Sequence, residues 1–283
     1  MICISIWAVP PSLSRTYCLN VAIPSFLFSF WQLSIFVCFE AGLVQFLDSI
    51  YAVYVFLAAR IFTLYGYLYF STMTILLSFI GYVKPQMFQS VTKTRNITFM
   101  VWIGHAWTVV CVLTLFPRLF VGIFPILAEM DFSVMMTVQV VFVLLIYMTM
   151  VVIYILAIFH VLRRIGDNRG YFTTEHRRSL TSILIYCTAP NVLCAVGLSF
   201  HVCETVQEIS VWHYFDPSTT DDIKRLCASL TYWAHGLTNI RIFINVFTAL
   251  IAFHDYRVAV RKAILWIATS ARKALKSIFR LLM

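Results

Sequence analysis

Charge is what this 283-residue sequence has least of. Asp, Glu, Lys and Arg make up 12% of it, and they are kept out of long stretches. Residues 17–38, 97–117, 132–162 and 179–203 contain none of the four, while 49–83 and 226–253 hold one each, Arg60 and Arg241. With 61% hydrophobic residues and a mean hydropathy of +0.87, this pattern excludes an ordinary soluble domain. Other absences exclude particular chemistries. The eight cysteines form no CxxC pair, so no zinc spacing is present. The seven histidines are scattered, without HxxH, and no GxSxG or paired intramembrane acid occurs, which argues against an enzyme, a metal site or a bound cofactor. No internal repeat is visible and both buried charges are arginines, which argues against a secondary transporter. Residues 1–10 lack the basic start and small-residue cleavage site of a signal peptide.

What is present is six apolar stretches, near 17–38, 49–83, 97–117, 132–162, 179–203 and 226–253. About 20 apolar residues cross a bilayer core as a helix, so each is long enough to span. The expected fold is all-α, a polytopic transmembrane helix bundle over residues 1–256 with an appended helix at 257–283. The apolar segment 1–10, followed by Pro10, Pro11 and Arg15, reads as the tail of an earlier helix.

The basic residues set the orientation. One alternate set of loops and termini carries Arg15, Lys84, Lys93, Arg95, a cluster from Arg163 to Arg178 and every basic residue after Tyr256. The opposite set carries only Arg118, Lys224 and Arg225, together with most of the acids. By the bias of Lys and Arg toward the cytoplasm, the basic side and the C-terminus are expected inside, in a multi-pass protein of the plasma membrane. The net charge of +9 is then a device for orientation and for anionic lipid, not a nucleic-acid footprint. Cys203 and Cys227 flank the longest outside loop, 204–226. Either a disulfide closes that loop or both remain buried thiols.

The residues also carry a resemblance. Leu19-Asn20-Val21-Ala22-Ile23-Pro24-Ser25 is similar to the second-helix motif of rhodopsin-like receptors, with Ser25 where Asp is usual. Val83-Lys84-Pro85 and the residues through Asn96 resemble their second cytoplasmic loop. Cys187-Thr188-Ala189-Pro190 resembles the sixth-helix CWxP, with Thr188 for Trp, and Asn245 to Arg257 resembles the seventh-helix NPxxY and its trailing Phe-Arg. The Asp-Arg-Tyr triplet is missing, its place taken by Leu77-Ser78-Phe79. The style is closest to the divergent nematode serpentine chemoreceptors. The resemblance implies a seven-helix receptor with most of its first helix missing. Such a receptor binds a small molecule from outside and signals to a heterotrimeric G protein.

It also implies roles for residues. A cavity open to the outside would place Arg60 opposite Thr188 and Asn191 beside the Pro190 kink, with His235 and Asn239 on the last span. The fixed charge of Arg60 would favour a ligand with a carboxylate. The plainer reading of Arg60 is snorkelling, or pairing with Asp48 or Glu40. Arg241, at mid-span, is expected in a structural network with Ser25, Asn239 and Asn245. Pro190 must remove a backbone hydrogen bond and kink its helix. In 257–283, Ile264, Ala268, Ala271, Leu275, Ile278 and Leu282 fall on one stripe, opposite Arg261, Lys262, Arg272, Lys273, Lys276 and Arg280. That pattern fits a helix lying on the inner leaflet, against a plainer reading as a solvated basic tail. Two other functions keep the same topology: a non-signalling degenerate paralogue and a small-solute transporter.

Overall fold

A computed structural model describes residues 1–42, 50–113, 133–163, 171–212 and 217–282. Among them the chain forms nine helices and no strand: α1 (Ile2–Trp7), α2 (Leu13–Glu40), α3 (Ile50–Val83), α4 (Pro85–Val91), α5 (Thr94–Leu113), α6 (Ser133–Arg163), α7 (Tyr171–Trp212), α8 (Pro217–Ala252) and α9 (His254–Leu282). Five segments are long and apolar enough to cross a bilayer: Leu13–Cys38, Ala58–Val83, Thr94–Leu113, Thr137–Arg163 and Leu180–Ser199. A sixth, Asn239–Ala252, qualifies only together with His254–Arg272, from which it is bent by 94°. The fold is an all-α bundle of multi-pass membrane type.

α3 is the axle of the bundle. It packs against α2, α5, α6 and α7, and 67% of its spanning segment is buried, against 17% for those of α2, α5 and α6. Those three helices turn large apolar side chains outward, among them Phe30, Leu33, Trp102, Leu145 and Phe159. Helices that are apolar on every face belong in hydrocarbon, where an outward Phe costs nothing. Because lipid is as apolar as leucine, the helices are held by close packing and polar contacts rather than by hydrophobicity. The tightest approach is at Gly104 of α5, where a Cβ would lie 2.4 Å from the ring of Tyr69 on α3.

Three sequence expectations change. The outer segment 204–226 is not an open loop: α7 continues to Trp212 and α8 begins at Pro217. With 42 residues, α7 measures about 63 Å, twice the hydrocarbon thickness, so it extends well past the bilayer core. Cys203 and Cys227 are joined by a disulfide, Cα to Cα 5.5 Å, which ties these two helices together. The segment after Pro85, expected as a loop, contains the short helix α4. The division between bundle and tail expected at residue 257 falls inside α9, whose first turns put Tyr256 and Ala259 into the core. At this corner Arg257 donates to the Ile251 carbonyl, one of the last carbonyls of α8. α1 packs on α2 and α9, with Ser5 buried against Tyr256, Oγ to Oη 2.7 Å.

Candidate functional site

One face of α3 is polar in the middle of an apolar helix. Arg60, Thr63, Tyr67, Ser71, Thr74 and Ser78 follow each other at helical spacings of three or four, and every one is buried. Residues so spaced share a face, and burying polar groups in hydrocarbon is costly unless partners meet them. Partners for Thr63, Tyr67 and Ser71 come from α2, α7 and α8, while Thr74 Oγ1 and Ser78 Oγ meet none among the described residues. Thr63 lies near the Pro24 carbonyl of α2, 3.4 Å away, and bonds the Ala59 carbonyl at 2.8 Å. Ser71 Oγ meets Tyr17 Oη of α2 at 2.8 Å. Tyr67 donates to Asn191 Oδ1 of α7 at 2.6 Å.

Arg241 of α8 closes the group. It is 1% exposed, its guanidinium carbon stands 4.8 Å from the centre of the Tyr67 ring, and Nη1 is 4.0 Å from Cys194 Sγ on α7. A desolvated cation over an aromatic face gains roughly 2 kcal/mol, which offsets part of the cost of a charge at this depth. Tyr67 therefore serves two helices at once, its hydroxyl bonding α7 and its ring facing the α8 cation. A second run of contacts continues from Ser71: Tyr17 packs edge-on to Tyr186 at 5.3 Å, Tyr186 against Phe253 at 5.1 Å, and Phe253 against Tyr256 at 6.0 Å. Buried rings thus connect the centre of the bundle to the α8–α9 corner. On the far side of α3, His105 of α5 bonds Asn20 of α2, Nε2 to Oδ1 2.7 Å, bracing the helices that face lipid.

The residues expected to form a ligand cavity do not all converge. Arg60 is 3% exposed within the bundle, and Asn191 is buried beside Pro190. Thr188 is exposed on the other side of α7, hydrogen-bonded to Tyr154 of α6 and to the Leu184 carbonyl. Asn239 is exposed too, because it lies about 200° around α8 from inward-facing Arg241. The side chain of His235 lies outside the described residues, as does Asp48. The expected network of Arg241 with Ser25, Asn239 and Asn245 is likewise replaced. Arg241 meets Tyr67 and Cys194, and Ser25 donates to the Val21 carbonyl at 2.7 Å. Ser25 and Asn245 do share a cavity of about 420 Å³, whose wall includes Val21, Ala22, Tyr186 and Ile242. A second cavity of about 470 Å³, between α6, α7 and α8, is walled almost wholly by apolar side chains. Among the described side chains, neither is lined by Arg60, Thr188, Asn191 or Asn239.

Sequence reasoning missed Tyr17, Tyr67, Ser71, Cys194 and Tyr186, which form the middle of the site. Polar residues spaced by three and four along an otherwise apolar span were the signal for the α3 members. Comparison with known proteins finds no matching family model and no matching curated protein.

Proposed function

We propose that this chain is a serpentine chemosensory receptor that takes a small-molecule ligand from the outer side and signals to a heterotrimeric G protein. The observation that carries the reading is the junction of Tyr67, Asn191 and Arg241, which ties the central helix to α7 and α8 beside a proline inside α7. Pro190 deprives α7 of one backbone hydrogen bond, so this helix bends at low cost where the polar contacts are made. A junction that can be made or broken across such a point has two arrangements, and a ligand preferring one shifts the balance. The aromatic run through Tyr186, Phe253 and Tyr256 gives the shift a physical route to the α8–α9 corner.

In this reading the basic side is cytoplasmic, at the plasma membrane. The exposed Lys84, Lys93 and Arg95 around α4 then offer a surface to the G protein, and the basic α9 lies along anionic lipid of the inner leaflet. Arg60, toward the outer end of the polar face of α3, is the ligand-recognising charge. Its five donors favour a carboxylate or other strong acceptor. The test expresses the chain with a G-protein reporter and screens small acidic and neutral compounds. Wild type should respond to acidic members, and Arg60→Ala, kept at the surface, should lose that response at least tenfold. A surface-expressed wild type that never promotes nucleotide exchange would sink the receptor reading. Equal loss for acidic and neutral ligands would remove only the charge recognition.

A further inference from the structure

The first turns of α9 are held by the bundle, with Tyr256 and Ala259 buried. Beyond them the helix stands clear. Every residue from Arg261 to Thr269 is exposed, and so are Ala271 and Arg272. α9 is bent by 94° from the end of α8, so it leaves the bundle sideways. Its free part, from Arg261 to Leu282, is about 33 Å long. No acidic side chain follows Asp255, and Arg261, Lys262, Arg272, Lys273, Lys276 and Arg280 give the free part six positive charges.

At about 100° per residue these six charges fall within about one third of the circumference. A helix lying on lipid turns such a sector to headgroups and water and its apolar stripe to hydrocarbon. The largest apolar residues do not keep to that division. Leu265, 65% exposed, falls inside the basic sector, and so does the position of Phe279. Trp266, 71% exposed, falls on the side opposite the stripe, while Ile264 and Ile267 lie on the stripe side. Residues 264–267 therefore surround the helix with apolar surface, and a flat bilayer covers only one side of it. Full coverage needs a partner that closes around the helix. Trp266 and Phe279 are 13 residues apart, which puts them about 20 Å apart along the axis and about 140° apart around it. Two large anchors on different sides, set among six positive charges, call for an acidic partner with two apolar pockets. A calcium-loaded sensor of the calmodulin type has that chemistry. Its adaptable methionine-lined grooves open on calcium and take basic amphipathic helices.

We propose that residues 261–280 of α9 are a docking segment for such a calcium-loaded sensor, with Trp266 and Phe279 as its two anchors. Sensor and anionic lipid compete for the same six charges, so capture lifts the tail from the membrane surface. In the cell this rests on the cytoplasmic placement of α9 proposed above, whereas the site itself is independent of any ligand or G protein.

The test uses the full chain in nanodiscs, which leave both membrane faces accessible, with calmodulin as the probe. In neutral phosphatidylcholine nanodiscs calmodulin should bind saturably in calcium, one copy per chain, and at least a hundredfold more weakly in EGTA. Trp266→Ala and Phe279→Ala should each weaken binding at least tenfold. Trp266→Ala should leave the Tm of the bundle unchanged, because this side chain lies clear of the core. In nanodiscs containing phosphatidylserine, the same occupancy should need several-fold more calmodulin. Binding equally strong in EGTA, or unaltered by both alanine variants, would reduce the contact to unspecific charge attraction and overturn the proposal. A tail that attaches to anionic lipid while calmodulin is captured in neither nanodisc would be a lipid anchor only, and would overturn it too. Calcium-dependent capture by a chain that never promotes nucleotide exchange would uphold the docking segment and sink the receptor reading alone.

Discussion

Tyr67→Phe deletes one oxygen from the centre of the bundle and leaves the rest of the ring in place. The hydroxyl donates to Asn191 Oδ1 at 2.6 Å, and both residues are buried, at 1% and 9% exposure. Hydrogen bonds between membrane helices average about 0.6 kcal/mol and reach about 1.7 kcal/mol. The substitution also strands an amide oxygen in an apolar interior, a cost of about 1–3 kcal/mol. Tyr67→Phe should therefore destabilise by about 1–2 kcal/mol. The Arg241 guanidinium still finds an aromatic face, so the cation–ring term is largely kept. Tyr67→Leu removes both and should cost about 2 kcal/mol more. Asn191→Leu should cost about as much as Tyr67→Phe, since it strands the hydroxyl instead. The double variant removes donor and acceptor together, so its loss should fall short of the sum of the singles by about 1 kcal/mol. Thermal unfolding of the four proteins in nanodiscs gives the cycle, at roughly 2–4 °C per kcal/mol for a chain of this order. Additivity within about 0.5 kcal/mol would show that the two side chains are not coupled, and the junction assigned to α3 and α7 would be refuted.

The packing of α3 on α5 makes a second prediction. In Gly104→Ala the new methyl carbon meets the Tyr69 ring, which is pinned by its own hydroxyl on the Met100 carbonyl at 3.0 Å, so a loss of about 1–3 kcal/mol is expected. Gly236→Ala, where nothing lies within 4 Å, is the control and should be neutral or slightly stabilising, by up to about 1 kcal/mol. Asn96-Ile97-Thr98 is the one glycosylation sequon, and Asn96 is exposed at the start of α5. With the basic side cytoplasmic it should carry no glycan, and a mass shift on enzymatic deglycosylation would invert the orientation. A peptide of residues 257–283 should become helical on anionic vesicles, at about 1 kcal/mol of attraction per basic residue, and hardly at all on neutral ones. A peptide that stays unstructured on anionic vesicles would leave α9 as a plain solvated tail.

Five of the six spanning stretches, their order and the helical tail were legible in the sequence because each depends on local properties. Length, lack of charge and the period of the tail residues need no knowledge of neighbours. The continuation of α7 and α8 through 204–226 was not legible, because polar residues there read equally as loop or as helix outside the bilayer. The tertiary structure alone decided which face of each span looks inward. On α7, Cys187 is buried and Thr188 is exposed. On α8, Arg241 is buried and Asn239 is exposed. In water an apolar side chain marks the inner face. In hydrocarbon both faces are apolar, so hydrophobicity carries no such mark and only packing and polar partners distinguish them. On α3 the polar stripe from Arg60 to Ser78 preserves that information in the sequence itself. On α7 and α8 it exists only once Tyr67 stands between Asn191 and Arg241.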